Sequence, residues 1–353
     1  MHTLKNLLEL MNERNASDLH LSIGTPPRIR INGKLNPIDE NKLDAEQIKK
    51  LLKEYLSDEQ LKKVSDGNEF DFTIGIPGLS RYRVNAFKQR GSIVATFRRL
   101  PFEVPNIQNL GFSDTILKLT EKRQGLILIT GGTGSGKSTT LATMVQKISS
   151  ELEGHIITIE DPIEYLYPHS KALINQREIG IDSPSFSDAL KSALRQDPDL
   201  VVIGELRDAE SMATALTIAE TGHLVLATLH TNNAAGTITR LVDVFPAEKQ
   251  EIIRMNLSMS LVAIISQQLI PNIENGRSLA LEILVNTPSI KALIRENNIH
   301  QIDNYILSGA KDGMIRMDDS ILALYNDNLI TKENALYYAH KPSELSKKLT
   351  DFN

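Results

Sequence analysis

A short apolar stretch followed by a glycine-rich turn constrains the fold of this chain more than any other feature. Residues 125–130 read Gly-Leu-Ile-Leu-Ile-Thr, which is the length of one buried strand. The turn that follows, residues 131–139, reads Gly-Gly-Thr-Gly-Ser-Gly-Lys-Ser-Thr and opens a helical pattern. Strand, loop and helix in this order predict a phosphate-binding loop at the edge of an α/β sheet.

The residue types of this loop suit a nucleoside triphosphate. Glycines let several backbone N–H groups point at one phosphate chain, Lys137 supplies a positive charge, and the Ser138 hydroxyl can bind Mg²⁺. The alternative is a glycine-rich turn without a ligand, but it does not account for the flanking strand and helix. We expect the whole loop to hold the nucleotide: Gly131, Gly132, Thr133, Gly134, Ser135, Gly136, Lys137, Ser138 and Thr139.

Length and composition narrow the class of protein. A chain of 353 residues is long enough for two domains with full cores. The absence of cysteine excludes disulfides, thiolate zinc sites and a cysteine nucleophile. A net charge of -5 argues against nucleic acid as the main partner, because such proteins usually carry a basic surplus. We see no signal peptide and no transmembrane segment, so we expect a cytoplasmic protein.

The hydrophobic pattern changes along the chain and predicts two domains. Residues 1–100 predict a small α+β domain with strands at 18–22, 28–32, 69–74, 81–87 and 92–97. Residues 101–107 form a proline-containing linker. Residues 108–353 alternate strand and helix and become mostly helical from about residue 288. The strands predicted there, 126–130, 155–160, 200–205, 224–229 and 279–285, are apolar enough for a parallel sheet covered on both faces.

Acidic residues stand at the carboxyl ends of two predicted strands. Glu160, Asp161 and Glu164 follow the first, and Glu205 closes the apolar stretch of the second. Ligands of α/β sheets lie at this edge, and phosphoryl transfer to water needs carboxylates that hold Mg²⁺ and orient the water. Taken alone, an Asp-Pro turn or a chance apolar stretch ending in Glu would also fit. Together with the P-loop, the four acids are candidate catalytic residues, and Glu205 is also a candidate magnesium ligand.

Three further side chains are candidate catalytic residues. His230 ends a predicted strand, where it can respond to a terminal phosphate, although a lone histidine is more often structural. Arg81 and Arg83 lie two apart on a strand and share one face. Their guanidinium groups could neutralise charge on phosphates, and the alternative is a solvated face of an edge strand.

One motif has to be set aside. Residues 41–44 read Asn-Lys-Leu-Asp, which matches a guanine-recognition motif. That motif should follow the P-loop on a late strand of the same sheet, whereas here it precedes the loop. Asp44 fits the N-cap of a helix instead, so we discard a GTPase.

Motifs along essentially the whole chain resemble the type II and type IV secretion ATPases and, within them, the type IV pilus retraction ATPases. These motifs are residues 16–22, 82–87, 159–164, 193–199 with 204–208, the segment ending at His230, 266–271 and 282–288. The resemblance implies a homohexameric ring of RecA-like P-loop ATPase domains, each joined to a smaller PAS-like N-terminal domain, with ATP and Mg²⁺ as cofactors. It also implies that one of Glu160 and Glu205 polarises the attacking water while the other helps hold Mg²⁺. Arg81, Arg83 and Arg98 would close over the phosphates.

The same resemblance implies partners and a location. Members of the retraction branch act on a platform protein of the pilus machinery at the inner face of the cytoplasmic membrane, which predicts a role in pilus disassembly and twitching motility. Extension and secretion members usually carry an extra N-terminal domain and a four-cysteine zinc site, which this sequence lacks. The alternatives are an accessory retraction ATPase, a type II secretion ATPase, or a nucleotide-gated regulatory ring with little turnover.

Overall fold

The computed structural model describes residues 2–31, 33–101 and 103–350, which form two compact units. The N-terminal unit comprises the chain up to Glu103 together with Pro162–Leu166. The ATPase-motif unit comprises Val104–Asp161 and the chain from Tyr167 onward. Asn32 of a predicted strand, Phe102 of the predicted linker and residues 351–353 lie outside the described residues.

An antiparallel sheet forms the N-terminal unit. Its strands are β1 (Asp18–Leu21), β2 (Arg28–Ile31), β3 (Lys34–Pro37), β4 (Phe70–Ile76), β5 (Ser80–Gln89) and β6 (Ser92–Leu100), in the order β3-β2-β1-β6-β5-β4. Its helices are α1 (Leu4–Glu13), α2 (Ala45–Leu52) and α3 (Asp58–Ser65). Tyr82, Val84 and Ala86 of β5 are buried in the core, so the alternating Arg81 and Arg83 project from the opposite face.

The start of α2 confirms the interpretation of the Asn-Lys-Leu-Asp sequence. Asp44 accepts a hydrogen bond of 2.8 Å from the N–H of Gln47, and the Gln47 side chain accepts one of 2.9 Å from the N–H of Asp44. This reciprocal pair is a capping box. Asp44 therefore caps a helix of the N-terminal unit.

A seven-stranded sheet forms the second unit. Its strands are β7 (Gly125–Thr130), β8 (His155–Glu160), β9 (Leu173–Glu178), β10 (Leu200–Ile203), β11 (Leu224–Leu229), β12 (Leu261–Pro271) and β13 (Arg277–Val285), in the order β13-β12-β7-β11-β10-β8-β9. Neighbouring strands are parallel except for β13, which runs antiparallel to β12. The predicted α/β class with a parallel sheet is confirmed.

Helices cover this sheet and make up the C-terminal region. They are α4 (Asp114–Leu119), α5 (Lys137–Glu151), α6 (Phe186–Ala193), α7 (Ala209–Glu220), α8 (Ala234–Asp243), α9 (Ala247–Ser260), α10 (Pro288–Arg295), α11 (Ile302–Ser308), α12 (Met317–Asn326), α13 (Lys332–Tyr338) and α14 (Pro342–Thr350). One core packs α5 against the sheet and another packs α6, α7 and α8. The C-terminal region is helical, as predicted. None of the helices in the described ranges is long and apolar enough to cross a membrane.

The structure differs from the prediction in three strands of this sheet. β10 ends at Ile203, so Glu205 follows the strand instead of closing it. β9 and β12 were not predicted. β12 follows α9 without a loop. Because no turn residues separate the two elements, the apolar residues of the strand read as a continuation of the helix. Its β-branched residues Val262, Ile264 and Ile265, with Pro271 at the end, are the signal that favours a strand.

Candidate nucleotide site

The P-loop leaves the carboxyl end of β7 with a backbone that requires glycine. Gly131 has a φ of +148°, and a Cβ atom there would lie 2.4 Å from the carbonyl oxygen of Gln267. Gly136 has a φ of +89° and is the N-cap of α5. A side chain at Gly131 would therefore collide with the neighbouring strand, and Gly136 lets the chain turn into the helix.

The start of α5 offers positive charge and N–H groups to an anion. Lys137 is the first residue of the helix and is buried, with its Nζ donating to Gly131 O at 2.8 Å and Gly132 O at 2.9 Å. Gly136 supplies no side-chain cap, so the first N–H groups of α5 face the loop with the positive end of the helix dipole. Ser138 and Thr139 follow in the first turn and are half-buried.

A cleft of about 590 Å³ adjoins the P-loop. Gly136, Thr139 and Gln267 line it on the P-loop side, and Leu269 and Leu279 supply apolar wall. Arg277 also lines the cleft, and its Nη1 donates to Gly134 O at 3.3 Å. A largely apolar wall with a few polar groups in a volume of this size is typical of small-molecule sites.

Glu160 ends β8 as a buried carboxylate. Its Oε1 accepts a bond of 2.7 Å from the Thr158 hydroxyl and one of 3.3 Å from Nε2 of Gln176. These donors hold the side chain in place at the carboxyl edge of the sheet. The carboxylate is therefore rigid and shielded from solvent.

Glu205 lies in a different environment, in the loop after β10. Its side chain is 24% exposed, and its Oε1 lies 3.3 Å from Nε2 of His230 at the end of β11. Arg207 bridges two carboxylates, with Nε 2.9 Å from Glu205 Oε2 and Nη1 3.2 Å from Asp161 Oδ2. The structure thus brings Glu205, Asp161 and His230 together, as their positions at strand ends predict.

The charge of Arg207 balances this cluster. Partial burial lowers the pKa of Arg207, but the hydrogen bonds and charges of Glu205 and Asp161 outweigh it and raise this pKa above its usual value. The guanidinium is therefore a permanent cation between the two carboxylates. It can release either carboxylate to a metal ion without a proton transfer.

The remaining predicted side chains lie in the N-terminal unit. Glu164 belongs to the segment Pro162–Leu166 of this unit, whereas Glu160 and Asp161 belong to the other unit. Arg83 is paired with Asp71 at 3.5 Å, and Arg98 with Asp18 at 2.9 Å.

The residues at the sheet edge fit a Mg²⁺ ion that arrives with phosphates. Within residues 2–31, 33–101 and 103–350, no three His, Cys, Asp or Glu side chains are grouped to hold a metal by themselves. Mg²⁺ at phosphate sites usually takes only one or two protein ligands and fills its shell with phosphate oxygens and water. The Ser138 hydroxyl and the partly exposed Glu205 carboxylate suit that role.

Arg207, Gln267 and Arg277 also belong to this site but were not predicted from the sequence. Arg207 lies in the 204–208 motif and Gln267 in the 266–271 motif, both of which resemble the family, but no functional role was predicted for either residue. A basic side chain two residues after a predicted catalytic acid is a signal that could have indicated Arg207. Nothing in the local pattern distinguishes Gln267 from Gln268.

Glu282 on β13 connects the helix that follows His230 to the C-terminal helices. Its Oε1 accepts a bond of 2.7 Å from the N–H of Ala234, the first residue of α8. Its Oε2 lies 3.7 Å from Nδ1 of His340, in the loop between α13 and α14. The carboxylate therefore caps α8 and anchors the loop that carries His230.

Burial raises the pKa of Glu282 to about 7. The N–H of Ala234 opposes this rise, the carboxylates of Asp303 and Asp318 add to it, and the guanidinium of Arg316 opposes it. The cap is therefore partly protonated at neutral pH.

Glu282→Gln should remove the loss of folding stability that Glu282 causes as the pH rises. The pKa rises from 4.5 to about 7 on folding, so the folded state binds more protons in this window. Protonation of Glu282 therefore stabilises the folded state fully below pH 4.5. This contribution to the free energy of unfolding, at most about 3 kcal/mol, is lost as the pH rises from 4.5 to about 7. Urea unfolding of both proteins at several pH values measures this.

The comparison between the two proteins isolates Glu282. Burial lowers the pKa of His340, which has the opposite effect on stability, and the groups that shift this pKa, Asp318, Asp303 and Arg316, are present in both proteins. We expect the wild-type free energy of unfolding, minus that of Glu282→Gln, to fall between pH 4.5 and 7. A constant difference would contradict the role of burial at this carboxyl.

Comparisons with known proteins agree with this geometry. A family model described as "Type II/IV secretion system protein" matches residues 1–275. The type IV pilus retraction ATPase PilT of Pseudomonas aeruginosa is 45% identical over 339 residues, which cover 96% of this chain and 98% of that protein. The type IV pilus ATPase PilU of the same organism is 39% identical over 342 residues, covering 97% of this chain and 90% of that protein.

A solved structure is similar over the same length. The crystal structure of the pilus retraction motor PilT with bound ADP matches with a TM-score of 0.92 at 44% identity, covering 98% of this chain and 100% of that one. The family predicted from the sequence motifs is thereby confirmed. This chain belongs to the Type II/IV secretion system protein family, whose members similar to it include pilus retraction ATPases.

Proposed function

We propose that the chain assembles into a homohexameric motor that hydrolyses ATP to retract type IV pili. The observation that carries the proposal is the P-loop at one sheet edge with Glu205, Asp161 and His230 clustered at the ends of neighbouring strands. Similarity to a retraction ATPase over 96% of the chain supports the choice of retraction. Pilus disassembly and twitching motility would follow from that activity.

ATP would lie with its phosphates on the P-loop and its nucleoside in the adjoining cleft. The N–H groups at the start of α5 and Lys137 suit the β- and γ-phosphates. The cleft lined by Leu269, Leu279 and Arg277 suits an aromatic base with a ribose. The ADP bound in the similar solved structure supports an adenine nucleotide. Mg²⁺ would be held by Ser138 and Glu205.

Glu205 is the better candidate for polarising the attacking water. Its carboxylate is partly exposed and makes ion contacts that a metal or water can replace, whereas Glu160 is buried and receives hydrogen bonds from Thr158 and Gln176. We propose that Glu160 fixes the neighbouring strand end and that Glu205 accepts a proton from the attacking water. His230, in contact with Glu205, would change position when the γ-phosphate leaves.

Arginines of the N-terminal unit would complete the site. We propose that Arg81, Arg83 and Arg98 neutralise the charge that develops on the phosphates. Arg81→Ala in the whole chain should then slow hydrolysis and leave ADP affinity nearly unchanged. Wild-type turnover in Arg81→Ala would contradict this role.

The motor would work at the inner face of the cytoplasmic membrane. Its proposed partners are the inner-membrane platform protein and the pilus assembly machinery, to which ring rotation would transmit the energy of hydrolysis. Its attachment to the membrane would be peripheral.

Pilus retraction in a deletion strain tests the proposal. Removing the gene should abolish retraction, and a plasmid copy should restore it, whereas a copy with Lys137→Ala should not. Normal retraction in the deletion strain would contradict the proposal and favour an accessory ATPase, which the similarity to PilU keeps as the second candidate. Full rescue by a copy with Glu205→Gln, which should bind nucleotide but hydrolyse it very slowly, would instead favour a nucleotide-gated regulatory ring with little turnover.

A further inference from the structure

Gln267 lies directly beside the P-loop on the neighbouring strand. β12 is parallel to β7, and Ser266 pairs with Thr130 both in backbone register and through a hydroxyl contact of 2.8 Å. Gln267 is the next residue, at the level where β7 turns into the loop, and it is 1% exposed. Its side-chain Nε2 donates to the carbonyl oxygen of Ser135 at 2.6 Å.

This hydrogen bond sets the orientation of one peptide group in the loop. A trans peptide is planar, so the N–H of Gly136 points away from the Ser135 carbonyl that Gln267 holds. Gly136 N–H stands at the start of α5, among the groups that a phosphate would meet. By binding the carbonyl on one side, Gln267 turns the N–H toward the other.

The loop's own sequence does not fix this orientation. Gly136 has no Cβ and a φ of +89°, so rotating the Ser135–Gly136 peptide meets little steric resistance. An outside hydrogen bond must therefore select one orientation. The same β12–β13 hairpin supplies a second contact, from Arg277 to Gly134 O at 3.3 Å, but Arg277 is exposed and its bond is longer.

The amide oxygen of Gln267 indicates that this residue is needed for its Nε2 donor and not for packing. A carbonyl oxygen only accepts, so Nε2 must face Ser135 and Oε1 must lie on the other side. Oε1 is buried and accepts no hydrogen bond from any residue in the described ranges. A buried acceptor without a donor is costly, so an apolar side chain would suit this position better if packing alone decided it.

We propose that Gln267 is a positioning residue that holds the Ser135–Gly136 peptide in its phosphate-binding orientation. It acts through this peptide group of the P-loop and does not itself bind the phosphates. The inference rests on the proposed function, since it concerns how the same site binds ATP and ADP.

Gln267→Ala with Gln268→Ala as its matched control tests the inference. The control makes the same chemical change one residue along, where the side chain contacts His340 at 3.4 Å and not the P-loop. Gln267→Ala should weaken ADP binding, measured by calorimetry, by about tenfold, the effect of one buried hydrogen bond. Adenosine has no phosphate, so its inhibition constant against ATP hydrolysis should stay at the wild-type value in both variants.

Gln267→Glu adds a readout that a purely structural role would not move. The introduced carboxyl donates to Ser135 O only when protonated, and burial favours the protonated form. ADP affinity of this variant, relative to wild type, should therefore recover as the pH is lowered. Thermal unfolding of each variant checks that it remains folded.

The outcomes separate this inference from the proposed function. Wild-type ADP affinity in Gln267→Ala, or an equal loss of ADP and adenosine affinity, overturns the inference alone. A pH-independent affinity ratio between Gln267→Glu and wild type also counts against it. If the wild-type chain itself binds neither ADP nor ATP, the proposed function fails, and this inference with it.

Discussion

Lys137→Ala is expected to lower the affinity for ATP and ADP by about a hundredfold and to abolish turnover. The Lys137 ammonium lies inside the loop, bonded to the carbonyls of Gly131 and Gly132 at 2.8 and 2.9 Å, so a short movement brings it to a phosphate. Charge-assisted hydrogen bonds of this kind contribute about 3 kcal/mol, which is roughly a hundredfold in affinity. Calorimetric titration with ADP measures the change directly.

Lys147→Ala is the matched control. Lys147 lies on the same helix, where it forms an exposed ion pair with Glu151 one turn away. An exposed pair of this type contributes little to stability and none of its atoms belongs to the P-loop. Equal losses of ADP affinity in the two variants would show that the lysine charge acts at long range, which would contradict a direct phosphate contact.

Glu205→Gln should lower kcat by about a thousandfold while ADP affinity changes little. The amide keeps the size of the side chain but cannot accept a proton from water or balance Mg²⁺, and a positioned general base contributes about 10²–10⁴ in rate. The amide oxygen can keep the bond from Arg207 Nε, and the NH2 group can then donate to Nε2 of a neutral His230. Phosphate release under saturating Mg-ATP measures the effect.

Two further substitutions show whether the loss of turnover is specific to Glu205. Glu160→Gln retains an acceptor for Thr158, so it should reduce turnover less than Glu205→Gln. Glu210→Gln, which alters an exposed carboxylate on α7 paired with Lys191, should behave as wild type. A large loss in Glu160→Gln with near-normal turnover in Glu205→Gln would reverse the two assignments.

The sequence predicted those parts of the site that follow from local pattern and sheet topology. A strand, a glycine-rich turn and a helix define the P-loop within one stretch of chain. The proximity of Glu205 to His230 follows because β10 and β11 are parallel neighbours, so that their carboxyl ends meet.

The parts that were missed depend on long-range contacts. Arg207 reaches Asp161 across 46 residues, and Gln267 reaches Ser135 across 132 residues. Neither contact has a periodic signal, and the second lies on β12, a strand that was not predicted. Glu164 shows the converse, since its closeness in sequence to Asp161 did not reveal that it packs with the N-terminal unit.

The most direct test is phosphate release by the purified chain with Mg-ATP, measured at protein concentrations over which sedimentation shows the ring assembling. If arginines from a neighbouring subunit complete the site, turnover per protomer should rise as the proposed hexamer forms, and Lys137→Ala should release no phosphate at any concentration. Absence of ATP-dependent phosphate release from the assembled hexamer would contradict the account.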